Sequence, residues 1–249
     1  LGGCLADDMG LGKTIQVIAM LLRMREEKNA PIRALIVCPA SVLPNWDHEL
    51  RSFAPELTRV RHHGPDRATE PGRLETPHVI LTTYGILLRD EVMLNDLSFD
   101  ALVLDEAQAI KNPKSHISRA VRRMNGTLRL ALSGTPLENH LGELRSLVDF
   151  ALPGYLDTEK RFNAILRRPI EEKNDRHARA VLMSRTAPVL LRRSKDQVAS
   201  DLPPKTEIRR ELDLTEAQAD AYEVVRAAGE ERIRETLAEK GFERSRIHV

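Results

Sequence analysis

The stretch DDMGLGKT, residues 7–14, lies between a short apolar run and an amphipathic segment with helical spacing. In that context backbone N–H groups and a helix N-terminus can surround a polyphosphate, because glycine permits an approach that a Cβ would block. Lys13 is expected to neutralise the β- and γ-phosphates, and the Thr14 hydroxyl to ligate Mg²⁺. The candidate nucleotide-binding residues of the loop are Asp8, Met9, Gly10, Leu11, Gly12, Lys13 and Thr14.

The loop departs from the usual phosphate-loop pattern at one position. The pattern G-x-x-x-x-G-K-[ST] begins with glycine, whereas Asp7 stands at that place here. The loop by itself therefore leaves two interpretations open, a nucleotide site or a fortuitous helix start that contains glycine and lysine. A partner motif has to decide between them.

The partner is ALVLDEAQ, residues 101–108, in which a buried-looking apolar run ends in two acids. At the carboxyl edge of a parallel sheet, Asp105 can hold a Mg²⁺ shell and Glu106 can orient or deprotonate an attacking water. The alternative is a solvated strand end followed by a helix whose dipole favours acids. The loop at residues 7–14 favours the catalytic interpretation, with Lys13, Asp105 and Glu106 as the catalytic candidates.

A third strand candidate ends in SGTPLEN, residues 133–139. Hydroxyl residues at this strand tip can hydrogen-bond the acidic loop and sense whether a γ-phosphate is present. The glycine and proline of this stretch also favour a simple turn, and both interpretations can hold together. Gln108, Ser133 and Thr135 are therefore added to the nucleotide-binding candidates.

The wider pattern predicts an α/β fold. Short apolar runs alternate with amphipathic helical stretches over about the first 150 residues, which is typical of a mostly parallel sheet covered by helices. Because each apolar run is nearly continuous, helices are expected on both faces of the sheet. The strand candidates are residues 3–6, 34–38, 78–82, 101–104 and 128–132, and the first crossover helix is residues 14–28.

The second part of the chain has a different character. After about Pro153 mixed-charge helical segments dominate, including residues 174–186, which predicts a helical insertion. Pro203 and Pro204 indicate an extended connector, and Thr215 with Gln218 forms a capping-box pattern before a long final helix. The expected domains are residues 1–153, 154–199 and 200–249.

Composition excludes some classes of protein. The 249 residues are 41% hydrophobic and 30% charged, with no apolar run long enough to span a bilayer. The net charge of +1 gives no bulk attraction to phosphate, so any nucleic-acid surface must be local. Cys4 and Cys38 are expected to be reduced core thiols, which favours a reducing, cytoplasmic compartment. His62 and His63 lack the spacing of a metal site, so no structural zinc is predicted.

Five segments resemble, in order and rough spacing, motifs I, Ia, Ib, II and III of the superfamily-two helicase-like ATPases. They are DDMGLGKT, CPASVLPNW (38–46), LTTYG (81–85), LDEAQAIKNP (104–113) and SGTPLEN. Their wording is similar to that of the Swi/Snf branch, and the DEAQ form resembles its bacterial members, where a nucleoid location would apply. The resemblance is close over about residues 3–150 and looser over residues 190–205.

The resemblance implies a RecA-like lobe of a motor that uses ATP and Mg²⁺ to move along double-stranded DNA, generally without separating the strands. DNA-bound proteins such as RNA polymerase are candidate partners. Hydroxyls and backbone N–H groups of motifs Ia and Ib suit phosphate oxygens. The DNA-contact candidates are Pro39, Ala40, Ser41, Thr82, Thr83 and Tyr84, with Lys111 and Asn112, which could equally cap a turn.

Two further features carry open interpretations. Trp46 is expected to be a core residue rather than a base-stacking platform. Arg192 and Arg193 are expected to lie on a solvated face or beside an acidic partner.

In the family a second RecA-like lobe supplies arginines that stabilise the transferring phosphoryl group. No motif of that lobe follows Lys205, and the chain begins at Leu1 without the family's glutamine-bearing motif. We therefore expect a fragment that binds nucleotide weakly and turns it over poorly, whereas its parent is a DNA-stimulated ATPase. Two alternatives are a degenerate ATPase lobe that serves as a DNA- or protein-binding scaffold and a strand-separating helicase.

Overall fold

The computed structural model describes residues 1–134, 140–198 and 208–240, with side chains described as far as residue 234. The chain divides into two compact units, Leu1–Asp201 and Leu202–Val249. None of the described helices is long and apolar enough to cross a membrane.

The described part of the first unit is built on a sheet of seven strands, all paired in parallel. The strand order is β3-β4-β2-β5-β6-β1-β7. The strands are β1 Gly2–Leu5, β2 Ala34–Cys38, β3 Arg59–His62, β4 Val79–Thr83, β5 Phe99–Leu104, β6 Gly126–Leu132 and β7 Leu190–Leu191. The predicted α/β class is confirmed, and each predicted strand is present with ends shifted by no more than two residues.

The helices lie between and after these strands. Those of the first unit are α1 Lys13–Lys28, α2 Leu43–Phe53, α3 Gly72–Glu75, α4 Tyr84–Arg89, α5 Glu91–Asn95, α6 His116–Arg123, α7 Leu141–Ala151, α8 Glu159–Phe162, α9 Arg168–Lys173, α10 Arg176–Thr186 and α11 Lys195–Val198. A 3₁₀ turn spans Ala107–Ile110, and a short π-helix spans Asn163–Arg167. The predicted helix at residues 14–28 begins one residue earlier, at Lys13, and the one predicted at 174–186 begins at Arg176.

The core lies on both faces of the sheet. Along β2, Leu35 and Val37 belong to one buried cluster, whereas Ala34, Ile36 and Cys38 belong to the other. This alternation follows from the period of two in a strand, and both faces are apolar because helices cover both. Burial raises the pKa of the Cys38 thiol to about 12, with a smaller contribution from the nearby Asp105 charge. The same effect of burial raises the pKa of Cys4 to about 12, so both are core thiols, as predicted.

The parallel pairing decides where the loops meet. Strands β1, β6 and β5 are neighbours in the order β5-β6-β1, so their carboxyl ends lie at one edge of the sheet. The loop after β1, the turn after β5 and the tip of β6 therefore come together, which is where parallel α/β sheets place their ligands.

After α10, the chain returns to the sheet. The short strand β7 pairs with β1, and Cys4 N donates to Val189 O across the pair at 2.8 Å. The segment that follows β7 therefore runs beside the loop that follows β1.

The described part of the second unit contains one long helix, α12 Glu216–Lys240, in the place that the capping pattern predicts. Thr215 N donates to the side chain of Gln218 at 3.1 Å, which is one of the two hydrogen bonds of a capping box.

Candidate active site

The glycine-rich loop between β1 and α1 has the backbone geometry that the sequence predicts. Gly10 and Gly12 have φ values of 87° and 72°, a region that L side chains rarely adopt. Gly12 is also the N-cap of α1, and no side chain caps the first turn of that helix. Lys13 and Thr14 are its first two residues, so the free N–H groups of a helix N-terminus face the loop.

The Lys13 ammonium lies over the loop. Its Nζ donates to the backbone oxygens of Asp7 and Asp8 at 2.6 and 3.2 Å. A Cβ placed on Gly134, at the tip of β6, would stand 4.0 Å from Lys13 Nζ and 3.1 Å from Met9 Cγ. The loop and the tip of β6 are therefore in close contact.

Asp105 follows β5 and is held in one orientation by three neighbours. Its Oδ2 accepts a 2.8 Å hydrogen bond from Trp46 Nε1, and its Oδ1 accepts one from Glu106 N at 2.9 Å. Its backbone oxygen accepts from the Tyr84 hydroxyl at 2.7 Å. Burial raises the pKa of Asp105; the hydrogen bonds from Trp46 and Glu106 N and the charge of Lys13 oppose this shift without cancelling it.

Glu106 adopts the left-handed backbone region, with φ of 49°, which is unfavourable for a residue other than glycine and is often found at functional sites. Its Oε2 accepts from Gln108 Nε2 at 2.7 Å, and Gln108 Oε1 accepts from the Ser133 hydroxyl at 3.1 Å. Ser133 N in turn donates to Leu5 O, just before the loop, at 3.1 Å. A continuous chain of hydrogen bonds thus joins the acidic turn, the tip of β6 and the end of β1.

The two halves of the predicted site lie at the same edge of the sheet. A Cβ on Gly134, at the tip of β6, would stand 4.0 Å from Lys13 Nζ, and hydrogen bonds through Ser133 and Gln108 join that tip to the acidic turn. Lys13 and Asp105 thus belong to one cluster although 92 positions separate them in the sequence. The arrangement places the N–H groups of the loop and the Lys13 ammonium at the same edge of the sheet as the buried Asp105 carboxylate and the Glu106 carboxylate. Thr135, another nucleotide-site candidate, lies outside the described residues.

The DNA-contact candidates lie in two environments. Ala40 and Ser41 are exposed and Pro39 is partly exposed, in the turn between β2 and α2. Thr82, Thr83 and Tyr84 are buried, and their hydroxyl groups have partners within the protein: Thr82 Oγ1 donates to His62 O, Thr83 Oγ1 accepts from Ile86 N and the Tyr84 hydroxyl donates to Asp105 O. DNA contact by all six residues stays a prediction.

Lys111 and Asn112 lie beyond the 3₁₀ turn that follows the acidic pair. Asn112 Oδ1 accepts from Lys114 N at 3.0 Å and so caps a turn, which is one of its two expected roles. Lys111 Nζ lies 3.9 Å from Glu143 Oε1. Both residues line a cleft of about 380 Å³ whose other basic side chains are Lys114, His140, Arg145 and Arg167.

Trp46 and Tyr84 contribute to the site in a way that the sequence did not indicate. Trp46 is fully buried, as expected, but its indole N–H also fixes the Asp105 carboxylate. Burial raises the pKa of the Tyr84 hydroxyl far above its ordinary value, so this group remains a donor to Asp105 O at neutral pH. A general signal existed, since a buried indole or phenol needs a hydrogen-bond partner, but the sequence did not show which one.

A parallel sheet with a glycine-rich loop after one strand and an acidic pair after another defines a P-loop nucleotide-binding fold. The chain belongs to the SNF2-related domain family, whose model matches residues 1–247. The resemblance to the Swi/Snf branch is thereby confirmed.

Individual relatives agree with this assignment. The putative ATP-dependent helicase/translocase YwqA of Bacillus subtilis is 43% identical over 227 residues, which are 89% of this chain and 25% of the relative. The TATA-binding protein-associated factor MOT1 of Saccharomyces cerevisiae is 36% identical over 229 residues, 82% of this chain and 12% of the relative. The chain therefore spans a quarter or less of these two relatives.

The fold also matches a solved structure. The Sulfolobus solfataricus SWI2/SNF2 ATPase core in complex with dsDNA superposes with a TM-score of 0.73 and is 42% identical. The match covers 81% of this chain and 42% of the Sulfolobus chain. The prediction that the chain has the fold of a RecA-like lobe is confirmed.

Proposed function

We propose that this chain is the ATP-binding lobe of a motor that hydrolyses ATP to move along double-stranded DNA. The observation that carries the proposal is the contact of the Lys13 loop, through the tip of β6, with the turn of Asp105 and Glu106 at one edge of the sheet. The proposal is further supported by the relatives, which include a putative ATP-dependent helicase/translocase and an ATPase core in complex with dsDNA.

Each residue of the site has a proposed role. The N–H groups of the loop and the Lys13 ammonium bind the β- and γ-phosphates of ATP, and the Glu106 carboxylate orients the attacking water. The Thr14 hydroxyl and the Asp105 carboxylate fit a Mg²⁺ shell, because hard oxygen ligands are those that Mg²⁺ prefers. Mg²⁺ held there would neutralise phosphate charge. Gln108 and Ser133 connect Glu106 to the tip of β6, where loss of the γ-phosphate can be sensed.

The proposed DNA surface comprises the exposed turn at residues 39–41 and Lys111 with Asn112. Residues 82–84 are kept as further candidates, although in this structure they are buried. Exposed backbone N–H groups and hydroxyls in the turn at residues 39–41 suit phosphate oxygens, which position a duplex without reading its sequence. DNA-bound proteins are proposed as further partners, and relatives named as TATA-binding protein-associated factors support this.

We further propose that residues 1–153 form the core of the lobe, that residues 154–199 complete it, and that residues 200–249 lead toward a second RecA-like lobe. The arginines of that lobe would stabilise the transferring phosphoryl group, and losing such an arginine lowers the rate on the order of 10³-fold or more. This chain by itself is therefore expected to bind ATP with low turnover.

The test measures phosphate release by the full-length protein with and without duplex DNA, together with its Lys13→Ala variant. We expect DNA to stimulate phosphate release by the unmutated full-length protein. Lys13→Ala should abolish this release because the phosphates lose their cation. A strand-displacement assay on the same protein separates translocation from unwinding. Full cellular function of Lys13→Ala would instead favour a scaffold without ATPase activity.

A further inference from the structure

Asp7, which stands where the phosphate-loop pattern has glycine, is fully buried and paired with Arg193 from the segment after β7. The guanidinium donates from Nη2 to Asp7 Oδ2 at 2.5 Å and from Nε to both carboxylate oxygens at 3.2 Å. Arg193 N adds a bond to Oδ1 at 2.9 Å. Gln16 in α1 completes the cluster, since its amide bonds both Asp7 Oδ2 and Arg193 Nη2.

The backbone on either side of this ion pair is joined as well. Ala6 N donates to Leu191 O at 2.7 Å and Asp8 N donates to Arg193 O at 3.1 Å, so the pairing of β1 with β7 continues into the loop. Lys195 N donates to Asp8 Oδ2 at 3.1 Å. Hydrogen bonds from the segment that follows β7 thus hold residues 6–8, where β1 leads into the loop.

Burial alone would raise the pKa of Asp7, but the hydrogen bonds from Arg193 and Gln16 and the charge of Arg193 outweigh it, so the pKa is lowered. The carboxylate is therefore charged at neutral pH and needs a cation. The Lys13 ammonium lies beside Asp7, since its Nζ bonds the Asp7 backbone oxygen at 2.6 Å. If Arg193 were absent, the buried charge of Asp7 would attract the ammonium that the phosphates need.

We propose that Arg193 is a positioning residue of the phosphate loop: by neutralising Asp7 and holding the adjacent backbone, it keeps Lys13 available for the phosphates of ATP. This rests on the proposed function. It explains how the loop tolerates an acid in place of its first glycine, since the acid serves as the attachment point for Arg193. Arg193 itself does not touch the nucleotide in this scheme and acts through Asp7.

The test compares Mg²⁺-dependent binding of a fluorescent ATP analogue by this chain and by four variants. The variants are Arg193→Ala, Arg193→Lys, the double variant Arg193→Ala with Asp7→Asn, and the control Arg192→Ala. Arg192 is the matched control because it is the exposed arginine next in sequence. Circular dichroism melting of each protein reports whether it is folded.

We expect Arg193→Ala to weaken binding by about tenfold or more, because it leaves the buried Asp7 carboxylate without its cation. The double variant should recover most of that loss, since the neutral amide that replaces the Asp7 carboxylate would not attract Lys13. Arg192→Ala should stay within about twofold of the parent, as for other surface substitutions. Arg193→Lys, which keeps the charge but loses the fork geometry, should fall between the parent and Arg193→Ala.

Rescue of affinity at a temperature where both Arg193→Ala and the double variant are fully folded separates positioning from a structural role, because regained stability would then not account for the regained affinity. Equal affinity of Arg193→Ala and the parent, or a double variant no better than the single one, would overturn the inference. If Arg193→Ala does not fold, Arg193→Lys and the double variant provide the same comparison. A parent chain that binds no analogue would overturn the proposed function, and the inference with it.

Discussion

Trp46 shows how one buried side chain can serve both packing and chemistry. It is among the largest fully buried side chains of the described core, and its N–H is the donor that holds Asp105 Oδ2. The carboxylate that we assign to the Mg²⁺ shell therefore takes its orientation from a residue 59 positions away in the sequence. The neighbouring Tyr84 fixes the same residue through its backbone oxygen.

Replacing Trp46 by Phe should separate its two roles. The ring remains in the core while Asp105 loses its indole donor, so we expect a loss of stability of about 1–3 kcal/mol. Misorientation of the carboxylate should also weaken Mg²⁺-dependent ATP binding by about tenfold, with metal-free ATP binding little changed. Titration of a fluorescent ATP analogue in Mg²⁺ and in EDTA measures both. Equal losses under the two conditions would show that Trp46 acts through the fold alone.

Asp105 itself should reduce the stability of the chain at neutral pH. Burial raises its pKa above the ordinary value of 3.8, so the folded state binds the proton more tightly than the unfolded state. Stability is then lost as the pH rises from below 3.8 through the raised folded value, and the loss persists at pH 7. Asp105→Asn removes the charge, but its single side-chain oxygen can accept from only one of Trp46 Nε1 and Glu106 N. The burial argument therefore concerns how its melting temperature relative to the parent changes with pH.

The matching measurement is thermal melting of the two proteins at pH 7 and at pH 3.5. The melting temperature of Asp105→Asn minus that of the parent should be larger at pH 7 than at pH 3.5, where the parent carboxyl is protonated. A difference that is smaller at pH 7 than at pH 3.5 would show that ionisation of Asp105 stabilises the fold and would contradict the burial argument.

At the scale of elements, β3 is an edge strand fastened by a buried cluster. His62 at its end is fully buried, and its Nε2 lies 2.9 Å from Asp90 Oδ2. Arg67 binds the same carboxylate with Nε and Nη2 at 2.6 and 3.1 Å. The Nδ1 atom of His62 is buried without a hydrogen-bond partner among the described residues.

The cluster of His62, Asp90 and Arg67 predicts that the stability of the protein falls at acidic pH. Burial lowers the pKa of His62 below 6.5; Asp90 acts in the opposite direction and Arg67 in the same direction, and the net shift is downward. The folded state thus binds fewer protons than the unfolded state, and stability falls as the pH drops below 6.5. His62→Gln should lessen this fall between pH 6.5 and 5, as measured by urea unfolding at both pH values. An unchanged pH dependence would exclude His62 as its source.

The elements that sequence patterns predicted are the long apolar ones. Strands such as Ala34–Cys38 are apolar throughout, because helices cover both faces of the sheet, and this signal is local. The strand Arg59–His62 was missed because three of its four residues are basic, as an edge strand allows, and Leu190–Leu191 because it has two residues. The backbone of the phosphate loop was predictable since positive φ values require the glycines that the sequence shows.

At the scale of the whole molecule, the position of the phosphate loop near Asp105 and Glu106 could be predicted from the topology of the sheet. The side-chain contacts that hold the loop in place could not. Parallel strands put their carboxyl ends at one edge, so the meeting of Lys13 and Asp105 could be expected once the class was α/β. The ion pair of Asp7 with Arg193 joins residues 186 positions apart. An acidic partner was one of two interpretations of Arg193, but the sequence did not indicate which acid it would be. Such pairings depend on register and packing, which short motifs do not encode.

In the proposed site, Lys13 and Asp105 act on one Mg²⁺-bound ATP. The measurement that tests it most directly is the affinity of this chain for ATP, with Mg²⁺ and with EDTA, for the parent, Lys13→Ala and Asp105→Asn. Lys13→Ala should weaken binding under both conditions, because the ammonium contacts the phosphates whether or not the metal is present. Asp105→Asn should bind metal-free ATP at least as tightly as the parent and should lose the gain that Mg²⁺ gives the parent. If Mg²⁺ strengthens ATP binding to Asp105→Asn as much as to the parent, Asp105 is not at the metal and the proposed site is wrong.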